Sequence, residues 1–144
     1  MHTLAPHVSI VTLGVADVGA STSFYEALGL RRSSASNDTI SFMRCGTIVL
    51  SLYGREPLAD DVGVGSSGDG FRAVTLAMNV ATPSEVDATY ARWVAAGATP
   101  VKAPEAAFWG GYSSYVADVD GHLWEIAHNP YTPVSAEGRL ELSD

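Results

Sequence analysis

Cysteine is nearly absent from this sequence, since Cys45 is the only one in 144 residues. A single thiol excludes an internal disulfide framework and is typical of a protein in a reducing compartment. Long apolar runs are missing too, and no stretch approaches the roughly 20 residues that a transmembrane helix needs. The first residues also lack the basic and apolar regions of a signal peptide. Together these absences predict a cytoplasmic protein.

Positive charge is scarce as well. Eight Lys and Arg residues stand against 16 Asp and Glu, which gives a formal net charge of −8 at pH 7. Nucleic acids and anionic membrane surfaces are themselves negative, so this balance disfavours both as partners. Arg31-Arg32 is the only adjacent basic pair, and it is too short to make a basic patch. We therefore expect no nucleic acid and no membrane among the partners.

The apolar residues, which make up 47% of the chain, follow the same order of patterns twice. In the first half a strand is followed by a helix, which begins at the N-cap Asp17 and ends at Gly29. Three further strands complete this half. The predicted strands are residues 8–15, 30–36, 39–45 and 47–53. The first half is therefore predicted to be a β-α-β-β-β module.

The second half repeats this order. A strand over residues 71–80 leads to a helix that begins at the capping box Thr82-Pro83-Ser84-Glu85 and ends at Gly97. A short strand over residues 98–102, a loop over 103–111 and a hairpin complete the module. The predicted organisation is a single domain with module one at 7–54, a linker at 55–70, module two at 71–130 and a tail at 131–144. In this internal repeat Ile10 corresponds to Thr75, which lies 65 residues later, and Leu50 corresponds to Glu125, which lies 75 residues later.

The linker contains the pattern G-x-G-x-x-G between Gly63 and Gly68. A dinucleotide site needs a strand directly before this pattern and a helix directly after it. Here Pro57 and two aspartates precede it, and a strand is predicted to follow Gly70. We therefore interpret the whole segment as a loop and not as a nucleotide site.

The hairpin places one carboxylate among apolar neighbours. Two strand patterns flank an Asp-Gly turn at Asp120-Gly121, and the second strand ends at His128. Alternation puts Trp124 and Ile126 on one face and Glu125 on the other. A buried carboxylate needs a partner. Glu125 is therefore either a functional group or a static one that a backbone amide or a tyrosine such as Tyr112 satisfies.

Two motifs together resemble the vicinal oxygen chelate superfamily. They are the helix end Phe24-Tyr25-Glu26-Ala27-Leu28-Gly29-Leu30 and the hairpin Asp118-Val119-Asp120-Gly121-His122-Leu123-Trp124-Glu125. The superfamily includes glyoxalase I, extradiol dioxygenases, fosfomycin-resistance enzymes and bleomycin-resistance binding proteins. The resemblance implies an α+β fold in which two βαβββ modules pair as half-barrel sheets and form a concave cavity. It does not imply one activity, because this scaffold hosts many.

Metal-dependent members take one ligand from the first and last strand of each module. The resemblance places those positions at Ile10, Leu50, Thr75 and Glu125. Ile and Leu offer no lone pair and a neutral Thr hydroxyl is a poor ligand, so only Glu125 suits a metal. None of the four histidines has a compact ligand spacing, and no histidine lies near Cys45 to activate it. We predict neither a metal nor another cofactor.

The resemblance also selects candidates for ligand binding. Trp109 and Tyr112 flank paired glycines in a loop that borders the cavity in related proteins, so both are candidates for stacking on a flat or apolar ligand. The alternative is that Trp109 packs at the barrel edge. The predicted lining of the cavity is Ile10, Thr12, Leu50, Leu52, Thr75, Asn79, Leu123 and Glu125. The predicted core of the second module is Val86, Tyr90, Trp93, Trp124 and Ile126.

Three functional hypotheses follow. The first is a metal-free protein that binds a small apolar or aromatic molecule, with Glu125 holding a donor or cation of the ligand. The second is a lyase- or dioxygenase-type enzyme, either metal-dependent or with Glu125 as general base. The third is a regulatory or interaction domain with a vestigial cavity. Because cavities in this superfamily are often completed by a second chain, we also expect a homodimer, to which Tyr53 and the linker contribute.

Overall fold

The two halves form two four-stranded sheets in the computed structural model, which describes residues 6–143. In chain order the elements are β1 (Ile10–Val15), α1 (Val18–Ala27), β2 (Arg31–Arg32), β3 (Ile40–Cys45), β4 (Ile48–Gly54), α2 (Arg55–Val62), β5 (Leu76–Asn79), α3 (Pro83–Ala95), β6 (Thr99–Ala106), β7 (Tyr112–Ala117) and β8 (Leu123–His128). The strand orders are β1-β4-β3-β2 and β5-β8-β7-β6. In each sheet the first and last strands of a module pair in parallel, and the other pairs are antiparallel. The predicted α+β fold of two βαβββ modules is confirmed, with the half-barrels open.

The predicted caps fix the starts of the two module helices. The Ala20 N–H donates to the carboxylate of Asp17 (2.9 Å), and the Glu85 N–H donates to the hydroxyl of Thr82 (3.1 Å). The carboxylate of Glu85 accepts in turn from the Ala81 N–H (2.8 Å). These bonds satisfy N–H groups that have no partner within the helix.

Each module helix covers one face of its sheet. Trp93 of α3 and the strand residues Trp124 and Ile126 are almost completely buried, as is Val86, while Tyr90 packs against this core. The predicted core of the second module is therefore confirmed. Edge-to-face contacts of Phe24 with Trp93 (ring centroids 5.9 Å apart) extend the same core into the first module.

The segment predicted as a loop contains a helix, α2. Its N-terminal cap residue, Gly54, makes no side-chain hydrogen bond, and Ala59 is its only buried residue, so sequence signals for it are weak. Helix α2 forms because it packs against β1. The backbone of Arg55 lies so close to Gly14 of β1 that a Cβ added to Gly14 would be 3.3 Å from the Arg55 Cα. The guanidinium of Arg55 also donates to the carbonyl oxygens of Ser66 (2.6 Å) and Gly68 (2.9 Å), which holds the loop that follows.

Three strands differ from their predicted length by more than two residues. β2 has two residues, and β5 begins at Leu76 instead of residue 71, since the preceding residues form a loop in which Ala73 has φ 62°. β6 is longer than predicted and reaches Ala106, with register shifts after Pro100 and Lys102. An edge strand tolerates proline because one side of its backbone needs no partner. No helix within residues 6–143 combines the length and apolar character needed to cross a membrane.

Candidate functional site

The face of the two sheets turned away from α1 and α3 is here called the concave face. Alternation along β1, β4, β5 and β8 assigns its positions, since the intervening residues are buried or partly buried under the helices. The concave positions are Ile10, Thr12 and Gly14 of β1, Val49, Ser51 and Tyr53 of β4, Ala77 and Asn79 of β5, and Leu123, Glu125 and Ala127 of β8. Glu125 is the only one of these residues with a charged side chain.

Leu50 and Leu52 do not line this face, contrary to prediction. Both side chains are completely buried in the core under α1. Strand pairing gives the reason: Val11 pairs with Leu50 in the first sheet, and Leu76 pairs with Trp124 in the second. Leu50 is thus the counterpart of Trp124. The predicted repeat is one residue out of register between β4 and β8, and such a slip moves a side chain to the opposite face.

The true counterpart of Glu125 is Ser51. Thr12 pairs with Ser51 as Ala77 pairs with Glu125, and both residues lie on the concave face. The hydroxyl oxygen of Ser51 is buried and has no hydrogen-bond partner among the described residues. A neutral hydroxyl is a weak metal ligand. Ser51 therefore replaces Leu50 as the counterpart of Glu125, but it adds no donor suited to a metal.

Glu125 is half-buried and has a tyrosine as its partner. The Tyr115 hydroxyl donates to Glu125 Oε2 at 3.3 Å, across the antiparallel pair of β7 and β8. Burial raises the pKa of Tyr115, and the charge of Glu125 and the hydrogen bond to it raise it further. The hydroxyl is consequently a hydrogen-bond donor at neutral pH. We name these two residues the Tyr115–Glu125 pair.

Tyr112 lies on the other side of the sheet. Its hydroxyl donates to the carboxylate of Asp87 on α3 at 2.7 Å, so it is not directed toward the concave face. Tyr112 therefore does not satisfy Glu125, and its predicted contact with a ligand remains a prediction. Alternation along β7 would have identified Tyr115, because it lies directly opposite Glu125 in the hairpin.

Trp109 packs on its own loop. It is 45% exposed, and its ring covers Gly111 so closely that a Cβ there would lie 2.1 Å from a ring carbon. Gly111 is buried and has no side chain, which permits this contact. The neighbouring Phe108 is fully exposed. The loop thus presents an aromatic surface next to β7, although Trp109 lines neither cavity described below.

Two cavities lie along β1. The first, of about 260 Å³, is on the first sheet and is lined by Ile10, Phe42, Arg44, Val49 and neighbouring residues. The second, of about 250 Å³, lies between β1, the loop of residues 70–74 and the turn of residues 121–123; it is here called the junction groove. Of the predicted lining residues, Ile10 lies in the first cavity, and Thr12 and Leu123 lie in the junction groove. Asn79 and Glu125 line neither, and Thr75 is exposed in the loop before β5.

The residues on the concave face do not fit the metal centre of the metal-dependent members. Within residues 6–143 no group of three or more His, Cys, Asp or Glu side chains could hold a metal ion. Ile10 and Thr75 supply no strong donor, and Leu50 is in the core. Glu125 alone is a suitable ligand type, and one carboxylate does not make a site.

The other reactive side chains have structural contacts. His122 Nε2 lies 2.9 Å from the Gly14 carbonyl oxygen, and His128 Nδ1 lies 3.2 Å from that of Val80. Burial raises the pKa of the Cys45 thiol, which disfavours the reactive thiolate. Sequence reasoning attached no role to Arg72, whose contact with His122 depends on a loop and a turn that are distant in sequence.

This fold and these motifs agree with comparisons to known proteins. The chain belongs to the Glyoxalase/Bleomycin resistance protein/Dioxygenase superfamily, whose family model matches residues 6–126. It is similar to the crystal structure of a glyoxalase-related enzyme from Fulvimarina pelagi, with 36% identity over 97% of this chain and 100% of that chain and a TM-score of 0.85. The family resemblance seen in the sequence is confirmed.

More distant structures share the fold alone. A glyoxalase/bleomycin resistance protein/dioxygenase from Nocardioides is 24% identical, covers 88% of this chain and 85% of its own, and has a TM-score of 0.73. A lactoylglutathione lyase from Agrobacterium tumefaciens is 20% identical over 88% of this chain and 96% of that chain, with a TM-score of 0.65. No curated protein matches the chain.

Proposed function

We propose that this protein binds a small apolar or aromatic molecule on its concave face without a metal. The observation that carries the proposal is the Tyr115–Glu125 pair, in which a half-buried carboxylate has a tyrosine partner. Among the described residues no cation lies within ion-pair distance of Glu125, since Lys102, opposite Tyr115 on β6, pairs with Glu105. Small-molecule sites are typically apolar surfaces with a few polar groups that fix the ligand. Glu125 would accept a hydrogen bond from the ligand or pair with a cation on it.

The two sheets differ in a way that favours a ligand with two different ends. Phe42 and Ser51 occupy in the first sheet the paired positions that Tyr115 and Glu125 occupy in the second. Phe42 also lines the cavity on the first sheet. A ligand could place its apolar part against Phe42 and direct a donor group toward the second sheet. The aromatic surface of Trp109 would add contact area at the rim.

An enzyme of the same superfamily is the second candidate function. The 36% identical glyoxalase-related enzyme supports it, as does the position of Glu125 on an accessible face. A carboxylate can accept a proton from a substrate carbon or hydroxyl, and a tyrosine bound to it can help orient it. No step through a metal is included, because the donor set does not fit one.

A charge-neutral substitution tests the role of Glu125. Benzylamine, an aromatic cation, is titrated against ¹⁵N-labelled protein, and we expect amide shifts around Ala77 and residues 113–127. Glu125→Gln should weaken binding by about fivefold, as for loss of a partly exposed charged contact. The control Glu26→Gln removes a charge from an exposed position of α1 and should bind benzylamine normally. If Glu125→Gln binds equally well and only the melting temperature falls, Glu125 is structural and the proposed site is wrong.

A further inference from the structure

The junction groove has a cationic rim and no acidic side chain in its walls. Arg72, His122 and Thr12 are its main polar side chains, while Phe71, Val74 and Leu123 supply apolar surface. This is unexpected in a chain with a net charge of −8. The groove includes the concave positions Thr12, Gly14 and Leu123 but lacks Glu125 and Tyr115, so its polar groups differ from those of the function proposed above.

The guanidinium of Arg72 is oriented by a chain of two contacts. His122 Nε2 lies 2.9 Å from the Gly14 carbonyl oxygen, and Arg72 Nη1 lies 3.3 Å from His122 Nδ1. A carbonyl only accepts hydrogen bonds, so Nε2 carries the proton and Nδ1 accepts from Arg72. The backbone of β1 therefore fixes the imidazole, and the imidazole fixes the guanidinium. This contact leaves other N–H donors of Arg72 available.

The nearby carboxylates do not neutralise Arg72. Asp118 accepts from the Tyr25 hydroxyl and from two backbone N–H groups, and Asp120 accepts from the Ala16 N–H. In the part of the chain that the structure describes, no carboxylate lies within ion-pair distance of Arg72. An oriented and unpaired cation beside an apolar groove is complementary to an anion.

The loop that carries Arg72 has an unusual backbone at the next residue. Ala73 has φ 62°, a left-handed conformation that is unfavourable for residues with a Cβ. Phe71, Arg72 and Val74 around this bend all line the groove. Strain of this kind persists where the surrounding structure requires it, and it is concentrated at binding sites.

We propose that the junction groove binds a small monocarboxylate with an apolar body. The carboxylate would pair with Arg72, and the body would pack against Phe71, Val74 and Leu123. One guanidinium suits a single planar carboxylate, which it binds through two parallel N–H···O hydrogen bonds. A volume of about 250 Å³ limits the ligand to roughly the size of one substituted ring.

Benzoate is the probe, and benzamide is its neutral analogue of the same shape. Both are titrated against the ¹⁵N-labelled full chain at low and at high salt. We expect benzoate to shift the amides of Gly14, Arg72 and residues 121–123, and to bind about fivefold more tightly than benzamide. High salt should weaken the binding of benzoate and leave that of benzamide unchanged. Equal affinities for the two probes would overturn the proposal.

Three variants locate the site. Arg72→Gln should lower the affinity for benzoate to that for benzamide, and Arg72→Lys should restore part of it. Arg44→Gln removes the cation of the other cavity and serves as the matched control, with no change expected. Glu125→Gln should also leave benzoate binding unchanged, which separates this site from the Tyr115–Glu125 pair. Loss of binding in Arg44→Gln but not in Arg72→Gln would refute the assignment.

His122 is a positioning residue in this proposal. His122→Phe removes both of its contacts and should weaken benzoate binding, while the affinity for benzamide stays the same. When His122→Phe is combined with Arg72→Gln, the affinity for benzoate should fall no further than in Arg72→Gln alone, because the two residues act as one unit. Additive losses of affinity in the double variant would contradict the proposed positioning of Arg72 by His122.

Inorganic phosphate should bind more weakly than benzoate, because it has no apolar body to pack against the groove. Equal binding of the two would refute the role of the apolar walls.

Discussion

The Tyr25 hydroxyl donates to Asp118 Oδ2 at 2.6 Å and thereby joins the helix of the first module to the hairpin turn of the second. Trp124 Nε1–H donates to the same hydroxyl at 3.1 Å, and Asp118 Oδ1 accepts from the N–H groups of Asp120 and His122. Tyr25 and Asp118 are almost completely buried. The relative position of the two modules therefore depends on a satisfied polar network inside the core.

Removal of the Tyr25 hydroxyl should destabilise the protein. Tyr25→Phe leaves the Asp118 oxygen and the Trp124 N–H without this partner in a buried site, which costs about 1–3 kcal/mol of unfolding free energy. Urea unfolding followed by circular dichroism measures the loss. Tyr112→Phe is the matched control, because its bond to Asp87 is exposed and its loss should cost less. Equal losses of unfolding free energy in both variants would show that the buried hydrogen bonds stabilise the protein no more than the exposed one does.

The same hydroxyl should make stability depend on pH in the alkaline range. Burial, followed by the charge of Asp118, raises the pKa of Tyr25 far above its ordinary value of 10.0. The neutral form is thus favoured in the folded state, and its contribution is complete below about pH 10. It decreases as pH rises above that value, because only the unfolded chain then ionises. Unfolding free energies from pH 8 to 11 should fall more steeply for the wild type than for Tyr25→Phe.

Gly111 should be required for the position of Trp109. In Gly111→Ala a Cβ would meet the indole ring at 2.1 Å, so the ring must move away. Trp93 and Trp124 are buried, and a change in tryptophan emission on this substitution would report Trp109. Gly65→Ala is the control, since nothing lies within 4 Å of the added carbon. An unchanged emission spectrum in Gly111→Ala would contradict the packing described for this loop.

Purified protein should contain no stoichiometric Ni, Zn, Mn or Fe. Of the positions that correspond to the metal ligands of the family, only Glu125 has a carboxylate, and its counterpart Ser51 is a weak ligand. A chelator should accordingly leave the melting temperature unchanged. Elemental analysis of protein prepared without a histidine tag makes the measurement. A tightly bound metal that is lost in Glu125→Gln would refute the metal-free proposal.

We also predict a homodimer. Exposed apolar side chains include Ile10 of β1 and Val62 and Val64 of the segment predicted as the linker, and a second chain could cover them. Sedimentation velocity over a range of protein concentrations should give a dimer mass. A monomer mass that does not change with concentration would exclude this assembly.

Local sequence patterns determined the two module helices, α1 and α3, and the hairpin. The caps Asp17 and Thr82 and the alternation around Glu125 act through neighbours a few residues away, so their effects are visible without the rest of the chain. The repeated order of elements likewise predicted the two-module fold. These features depend on short-range hydrogen bonds and on which side chains alternate.

Tertiary structure decided which residues meet. Parallel pairing of β1 with β4 placed Ser51 opposite Thr12 and sent Leu50 into the core, a difference of one residue that a weak internal repeat could not resolve. Helix α2 forms against Gly14, and the contact of Arg72 with His122 joins a loop to a distant turn. Strand register and contacts between distant segments arise from packing of the whole core, so the sequence pattern alone did not determine them.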